Sequence, residues 1–589
     1  MARLLLFTEP NLHLGQDASL PPSWCNLGTA RLAAWCRSRG HAVSLLPFFS
    51  TLLDSLALSP EGQRWLLERA DAATPTLLGM QAREQSWACK KIADTAHLAF
   101  GPALERFIYG PHAAGLSRLL ADLLTTASRD ASCADHPFLD SAELQAERAA
   151  ADWIGVSMGR VGDPLVEALI RRLARRWPVV VGGSTTACMS QAERERILDE
   201  LGARALVVGP GERPLSELLE AGSPPRAVVL EEQRYPEVED LLPAFDLLDL
   251  DRFYFPQRVL PVQLSHGCYW RRCAFCRRDV AGLGCRHLPA RSIARQLATL
   301  ADRFDCCSFS LSDEALAPRQ ARAFCRALLA ESGGTTGLSF FAGARPERGF
   351  DEATLELMAR AGFKVVFWGI ESGSARLLRR MRKGTSPPTA ERVLRTAAAC
   401  GITNLCFFMV GFPGETEDDW QATLGFWERN HASIAYNRIN PFVLEQGSRV
   451  YAHPEEYGVE PIQTAGSGSR PYRVESGIDH ARALELKREL LERVSAGLFR
   501  IDCGAFFDPP GLGDGDEKLA FLAAQVLGGA RLLDAQAGFD GRSQELIPLN
   551  PHAREMLAQL AGREPDQGWL QEASRRHRFL VVKTGARGL

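Results

Sequence analysis

Apolar residues recur along this chain in two alternating rhythms, and the alternation predicts most of its elements. Short apolar runs read as buried strands, and stretches with apolar positions every three to four residues read as helices. Arg3 to Thr8 is a predicted strand, 26–39 a helix and Ala42–Leu46 a second strand, closing a βαβ unit. The rhythm breaks over 51–130, where the pattern is helical, with Trp65, Leu66, Trp87 and Ile92 as core contacts. That stretch exceeds any simple connection, so it is expected to be a helical insertion. Alternation resumes with a strand at Trp153–Ser157, an amphipathic helix at Pro164–Arg176, a strand at Val179–Val181, a helix over 191–201 and a strand at Ala205–Val208. Strand and helix in turn, with glycines where strands stop, is the pattern of a doubly wound, Rossmann-like sheet, whose ligands bind outside the carboxyl ends of the strands. Gly182, Gly183 and Ser184 stand at one such end, and Gly209, Gly211 and Glu212 at another. These glycines either let a ligand approach the backbone or make tight turns.

Residues 226–258 are rich in proline and acidic side chains without clean periodicity, and read as a linker closing a first domain of 1–225. The β/α rhythm then returns over 259–450, with strands expected at Leu260–Leu264, Cys307–Leu311, Gly337–Phe341, Lys364–Ile370, Asn404–Val410 and Tyr436–Phe442. About six βα units predict a partial barrel, a class whose active sites are built at strand carboxyl ends. Residues 451–589 read as a mainly helical region, with a charged helix over 480–500, a flexible Gly511–Gly515 loop and an apolar strand at Phe579–Val582. They carry no readable chemical motif.

Composition narrows the class. The 589 residues suggest about three to four domains, and 46% hydrophobic with 24% charged residues is ordinary for globular proteins. A net charge of −3 gives no signal for nucleic acid or an anionic membrane. No apolar run is long enough for a transmembrane helix, and the amino terminus lacks the apolar core of a signal peptide. Fifteen cysteines, unevenly placed, fit a reducing cytoplasm rather than a disulfide scaffold.

Three of those cysteines carry the chemistry. Cys268, Cys273 and Cys276 follow a predicted strand in the spacing C-x4-C-x2-C. Three thiolates on one loop hold three irons of a [4Fe–4S] cube and leave the fourth open to a small molecule. Spacing alone also allows zinc, with His266, Cys285 or His287 as fourth ligand, or inert core thiols. The other strand ends carry Asp313 and Glu314, Arg345, Glu371-Ser372-Gly373 and Gly411-Phe412-Pro413-Gly414-Glu415.

A strand delivering a three-cysteine loop with Phe275 before its last cysteine, then Gly369-Ile370-Glu371-Ser372-Gly373 and Val410-Gly411-Phe412-Pro413-Gly414-Glu415, resembles the radical S-adenosylmethionine (SAM) superfamily over about 259–450. The α/β domain before it, with Val181-Gly182-Gly183-Ser184 and Val208-Gly209-Pro210-Gly211-Glu212, resembles the cobalamin-binding domain of one subgroup, which includes the class B methyltransferases. Two departures stand out. The usual spacing is C-x3-C-x2-C, so this loop has one extra residue. No Asp-x-His-x-x-Gly motif occurs in 1–225 to supply a cobalamin ligand.

The resemblance implies that Cys268, Cys273 and Cys276 hold the cluster and that SAM chelates its fourth iron. Neighbouring arginines would favour the thiolates. Phe275 would lie against adenine, Asp313 and Glu314 would meet the SAM amine, Arg345 its carboxylate, and Glu371 and Ser372 its ribose or carboxylate. Gly182, Gly183, Ser184, Gly209, Gly211 and Glu212 would face cobalamin. The implied activity is C-methylation of an unactivated carbon in a peptide or specialised metabolite through a 5′-deoxyadenosyl radical, with an external electron donor such as flavodoxin or ferredoxin. A radical rearrangement, ring contraction or cyclisation without methyl transfer, a radical enzyme that has lost cobalamin, and a non-catalytic iron–sulfur or zinc protein are the competing readings.

Overall fold

The structure, a computed structural model, describes residues 1–8, 26–48, 136–159, 161–238, 241–250, 259–277, 282–334, 336–434, 436–461, 469–470 and 472–495, and short strands at 531–534, 537–539 and 546–548. The helical insertion, the Gly511–Gly515 loop and the Phe579–Val582 strand expected from sequence lie outside the described residues.

The first sheet contains β1 (Arg3–Phe7), β2 (Ala42–Leu46), β3 (Trp153–Ser157), β4 (Val179–Gly182), β5 (Ala205–Val208) and β6 (Val228–Glu231). All its pairings are parallel, in the order β2-β1-β3-β4-β5-β6. The apolar run of β1 is continuous because helices cover both faces of a parallel sheet. Leu4 and Leu6 pack in the same core as Ala30, Ala33 and Cys36 of the Leu27–Ser38 helix. Leu5 and Phe7 pack with Phe138 and Leu139 of the Pro137–Arg148 helix. The strand order reverses direction between β1 and β3, the crevice where doubly wound sheets take ligands.

One strand departs from the sequence reading. Val228–Glu231, expected in a linker, is β6, and it pairs in register with β5. As an edge strand it is only half-buried in alternation, so its pattern is too weak to stand out from the proline-rich flanks. The helix expected over 191–201 also changes character: Gln191–Glu195 is α-helical and Arg196–Glu200 is a π turn.

The second sheet is β7 (Val259–Val262), β8 (Ser308–Leu316), β9 (Ser339–Ala344), β10 (Phe363–Glu371), β11 (Thr403–Val410) and β12 (Tyr436–Pro441). It is parallel and follows chain order throughout. No pairing joins β12 to β7 among the described residues, which makes it an open, partial barrel. Phe309, Phe340, Trp368, Cys406 and Phe408 pack outward into one core with the surrounding helices. That core continues through Phe245 into the first sheet's helices. Beyond 451 the described residues comprise the helices Pro454–Tyr457 and His480–Ser495 and short antiparallel strands. No helix among the described residues is long and apolar enough to cross a membrane.

Candidate active site

β7 delivers the cysteine segment, which is tied at its root. Ser265–His266 pairs antiparallel with Arg286–His287. The buried Asp313 carboxylate, on β8, accepts the Leu264 amide at 2.9 Å and the Ser265 hydroxyl at 2.5 Å. Burial pushes the Asp313 pKa up to about 6, against those hydrogen bonds. Gly267 has φ +70°, and a Cβ there would stand 2.2 Å from the Gly284 carbonyl oxygen. Glycine is therefore required where the two segments cross.

After Cys268 the chain steps through Arg271 at φ +52°. This left-handed step within the C-x4-C spacing is a conformation that costs a non-glycine residue about 1–3 kcal/mol and persists where neighbours enforce it. The second half is a turn, with the Cys276 amide donating to the Cys273 carbonyl at 3.2 Å. Ala274 between them is fully buried with Leu377, Met381 and Phe412. Its amide donates to Met381 at 2.8 Å, and its carbonyl accepts from Val450 at 3.0 Å. Phe275 is partly buried and meets Phe412 edge-on at 6.5 Å.

Lys383 is the neighbour that sequence reasoning missed. It is 9% exposed, and its ammonium donates to Glu371 Oε1 at 2.7 Å and lies 5.6 Å from the Phe275 ring centre. Burial pulls the Lys383 pKa down, but Glu371 and Cys273 outweigh it and the net shift is upward. Burial likewise pushes the Cys273 thiol up to about 11, and Lys383 is the cation that opposes this. Two of the flanking arginines, expected to activate the thiols, have other partners. Arg277 faces Glu445 at 3.8 Å, and Arg272 lies over the Trp270 ring at 5.2 Å.

The remaining expected residues divide. Glu371, at φ +66°, is in the site beside Lys383 and Cys273. Glu314 is exposed at the end of β8. Ser372 is wholly buried, with its hydroxyl held by Thr423 and the Ser374 amide, so it caps a turn behind the sheet. Arg345 is 4% exposed, and it is paired with Glu347 and donates to the Gly384 carbonyl at 2.6 Å. In the first sheet, a Cβ on Gly183 would stand 2.5 Å from the Met158 carbonyl oxygen, and one on Gly209 would stand 2.2 Å from that of Glu232. Those two glycines are explained by backbone packing. Gly211 precedes the Glu212–Ala221 helix, and Glu212 is buried against Arg31 at 3.7 Å. Gly182 is partly exposed and Ser184 exposed at the carboxyl edge.

Glu415 closes the Gly411–Glu415 motif rather than the site. It is fully buried, accepts the Gly411 amide at 2.5 Å, and leaves Oε1 without a partner. Burial pushes its pKa up to about 8. The folded protein then holds this proton more tightly than the unfolded chain, so stability falls as pH rises from about 4.5 to about 8. Glu415→Gln is expected to flatten that slope, which melting temperatures taken across this pH range will read.

Three thiols on one loop suit a [4Fe–4S] cluster with one open iron, and a zinc ion would need a fourth donor. Residues 262–426 match the Radical SAM superfamily. The second sheet is a radical SAM domain. That domain belongs to a family whose chemistry uses a [4Fe–4S] cluster and SAM.

The relatives are consistent with this. An uncharacterised methyltransferase of Pyrococcus horikoshii is 28% identical over 270 residues, which are 42% of this chain and 57% of that protein. The chain thus spans little more than half of that relative. TsrM from Kitasatospora setae, a radical SAM methyltransferase solved with cobalamin and a [4Fe–4S] cluster, superposes with TM-score 0.55 over 98% of this chain and 100% of its own, at 14% identity. The cobalamin-dependent radical SAM enzyme OxsB, solved with aqua-cobalamin, gives TM-score 0.55 over 83% and 66%, at 14% identity. At such identities the likeness is one of fold, and it extends across both sheets of this chain.

Proposed function

We propose that the chain is a cobalamin-dependent radical SAM methyltransferase acting on an unactivated carbon of a peptide or specialised metabolite. When bound, the cluster and SAM supply a hydrogen-abstracting radical and cobalamin a transferable methyl group. Cys268, Cys273 and Cys276 would hold the cluster. Lys383 and Glu371, beside Cys273, would take the polar end of SAM, and Phe275 would face its adenine. Asp313 would act through the root of the loop rather than on SAM, and Arg345 through Glu347 and Gly384. Ala274, Phe275 and Phe412 would keep water from the thiols. An external electron donor of the flavodoxin or ferredoxin kind belongs to this reading.

The observation that supports cobalamin most is the bridge between the two sheets. Arg277, next to Cys276, faces Glu445 at 3.8 Å. Gln446, the next residue, donates to the Cys188 carbonyl at 2.8 Å and to Glu193 at 3.2 Å. The cysteine loop is thereby linked to the segment that follows Gly182 and Ser184 at the carboxyl edge of the first sheet, on the side where such sheets bind ligands. Gly182 and Ser184 lie at that edge, Gly182 partly exposed and Ser184 exposed.

The test is anaerobic reconstitution with iron, sulfide and hydroxocobalamin, followed by turnover with SAM carrying a deuterated methyl group. Retained cobalamin in the visible spectrum and a product bearing the label are expected. A protein that excludes cobalamin, or an unlabelled rearranged product, contradicts the proposal.

A further inference from the structure

The extra residue in the cysteine loop has a structural use. Between Cys268 and Cys273 the left-handed step at Arg271 sets Trp270 against the turn that carries Lys383. A Cβ on Gly384, at φ +69°, would stand 1.9 Å from Trp270 Cζ2 and 2.2 Å from Cη2. The indole therefore occupies the space a side chain would need, and only glycine fits beneath it. Trp270 Nε1 donates to the Arg382 carbonyl at 3.0 Å, and Arg382 is itself left-handed at φ +56°. Arg345 stacks over the indole at 4.0 Å while donating to Gly384. At the far end of the loop, Ala274 donates to Met381. Loop and turn are thus fastened at both ends of 381–384, and Lys383 lies between the fastenings.

We infer that Trp270 is a positioning residue, which locks the lengthened cysteine loop onto the 381–384 turn and fixes where Lys383 stands relative to Cys273. Trp270 does not act on substrate. Its role is to hold a flexible lysine at the cluster face, and Arg345 serves the same lock by stacking. The functional consequence rests on the cluster and SAM reading above; the lock itself does not.

The two are separated by two measurements. Amide hydrogen exchange at Ala274 in the full-length protein reads the lock without any cofactor. Trp270→Ala and Gly384→Ala are expected to speed it by about tenfold, the order of one desolvated stacking interaction, with Trp270→Phe, which keeps a ring for Arg345 but loses the Nε1 hydrogen bond, in between. Unchanged exchange in the first two variants overturns the lock whatever the cofactors do. In reconstituted protein, the change that SAM induces in the electron paramagnetic resonance (EPR) spectrum of the reduced cluster reads SAM affinity. Trp270→Ala and Gly384→Ala should weaken SAM binding about tenfold while keeping the wild-type iron content. Wild-type SAM affinity in both variants, or loss of iron in both, overturns the positioning role. A wild-type protein whose spectrum ignores SAM sinks the cofactor reading and the functional part of this inference with it, while the exchange result still decides the lock.

Discussion

Replacing any one of Cys268, Cys273 or Cys276 with alanine is expected to lower bound iron from about four per chain to a small remnant and to abolish SAM cleavage, because two thiolates do not hold a cube. Folding should survive. The loop is fixed by the Asp313, Met381 and Val450 hydrogen bonds, none of which involves a thiol. Cys285→Ala is the informative companion. Burial raises the Cys285 pKa, with Cys268 nearby adding to the rise, and Cys285 is the thiol that would complete a zinc site. If the fourth position belongs to SAM, this variant keeps its iron and its activity. Iron and sulfide assays after anaerobic reconstitution give the answer.

Lys383→Ala is expected to have the second largest effect, on stability as well as on chemistry. Lys383 and Glu371 are 9% and 12% exposed. Removing one member of such a pair leaves the other buried without compensation, at a cost of about 3–5 kcal/mol. Glu371→Gln with Lys383→Met should recover most of that stability, since no charge is then stranded, but not SAM binding. Denaturant unfolding with a SAM-binding measurement on the same samples separates the two roles. If Lys383→Ala unfolds like wild type, the pair is not coupled as described.

Much of the architecture was legible in the sequence because parallel strands buried on both faces are continuous apolar runs. β3 and β5 have the bounds that their runs predict, and the six barrel strands fall within a few residues of theirs. β6 was not legible, because an edge strand buries one face only. The cysteine loop was legible because its three cysteines are close in sequence. Its surroundings were not. Lys383 reaches Cys273 from a turn more than a hundred residues away, and its meaning depends on Glu371 being buried beside it. A lysine is rare in this arginine-rich chain, and a lysine-glycine pair after the Glu371 motif was the one available signal. Ser372 and Arg345 show the opposite case. Both stand in sequence where cofactor ligands belong, and both are engaged by the protein itself. The extra residue between Cys268 and Cys273 was visible as an irregularity, and the backbone within that stretch is left-handed at Arg271.

The central claim is that three cysteines hold a cluster whose fourth iron takes SAM. The most direct measurement is the EPR spectrum of the reduced, reconstituted wild-type protein with and without SAM. The account predicts a [4Fe–4S] signal whose g-values and line shape change on adding SAM, and which is lost in Cys273→Ala. A signal that SAM leaves untouched, or a colourless protein that binds one zinc per chain instead, would contradict it.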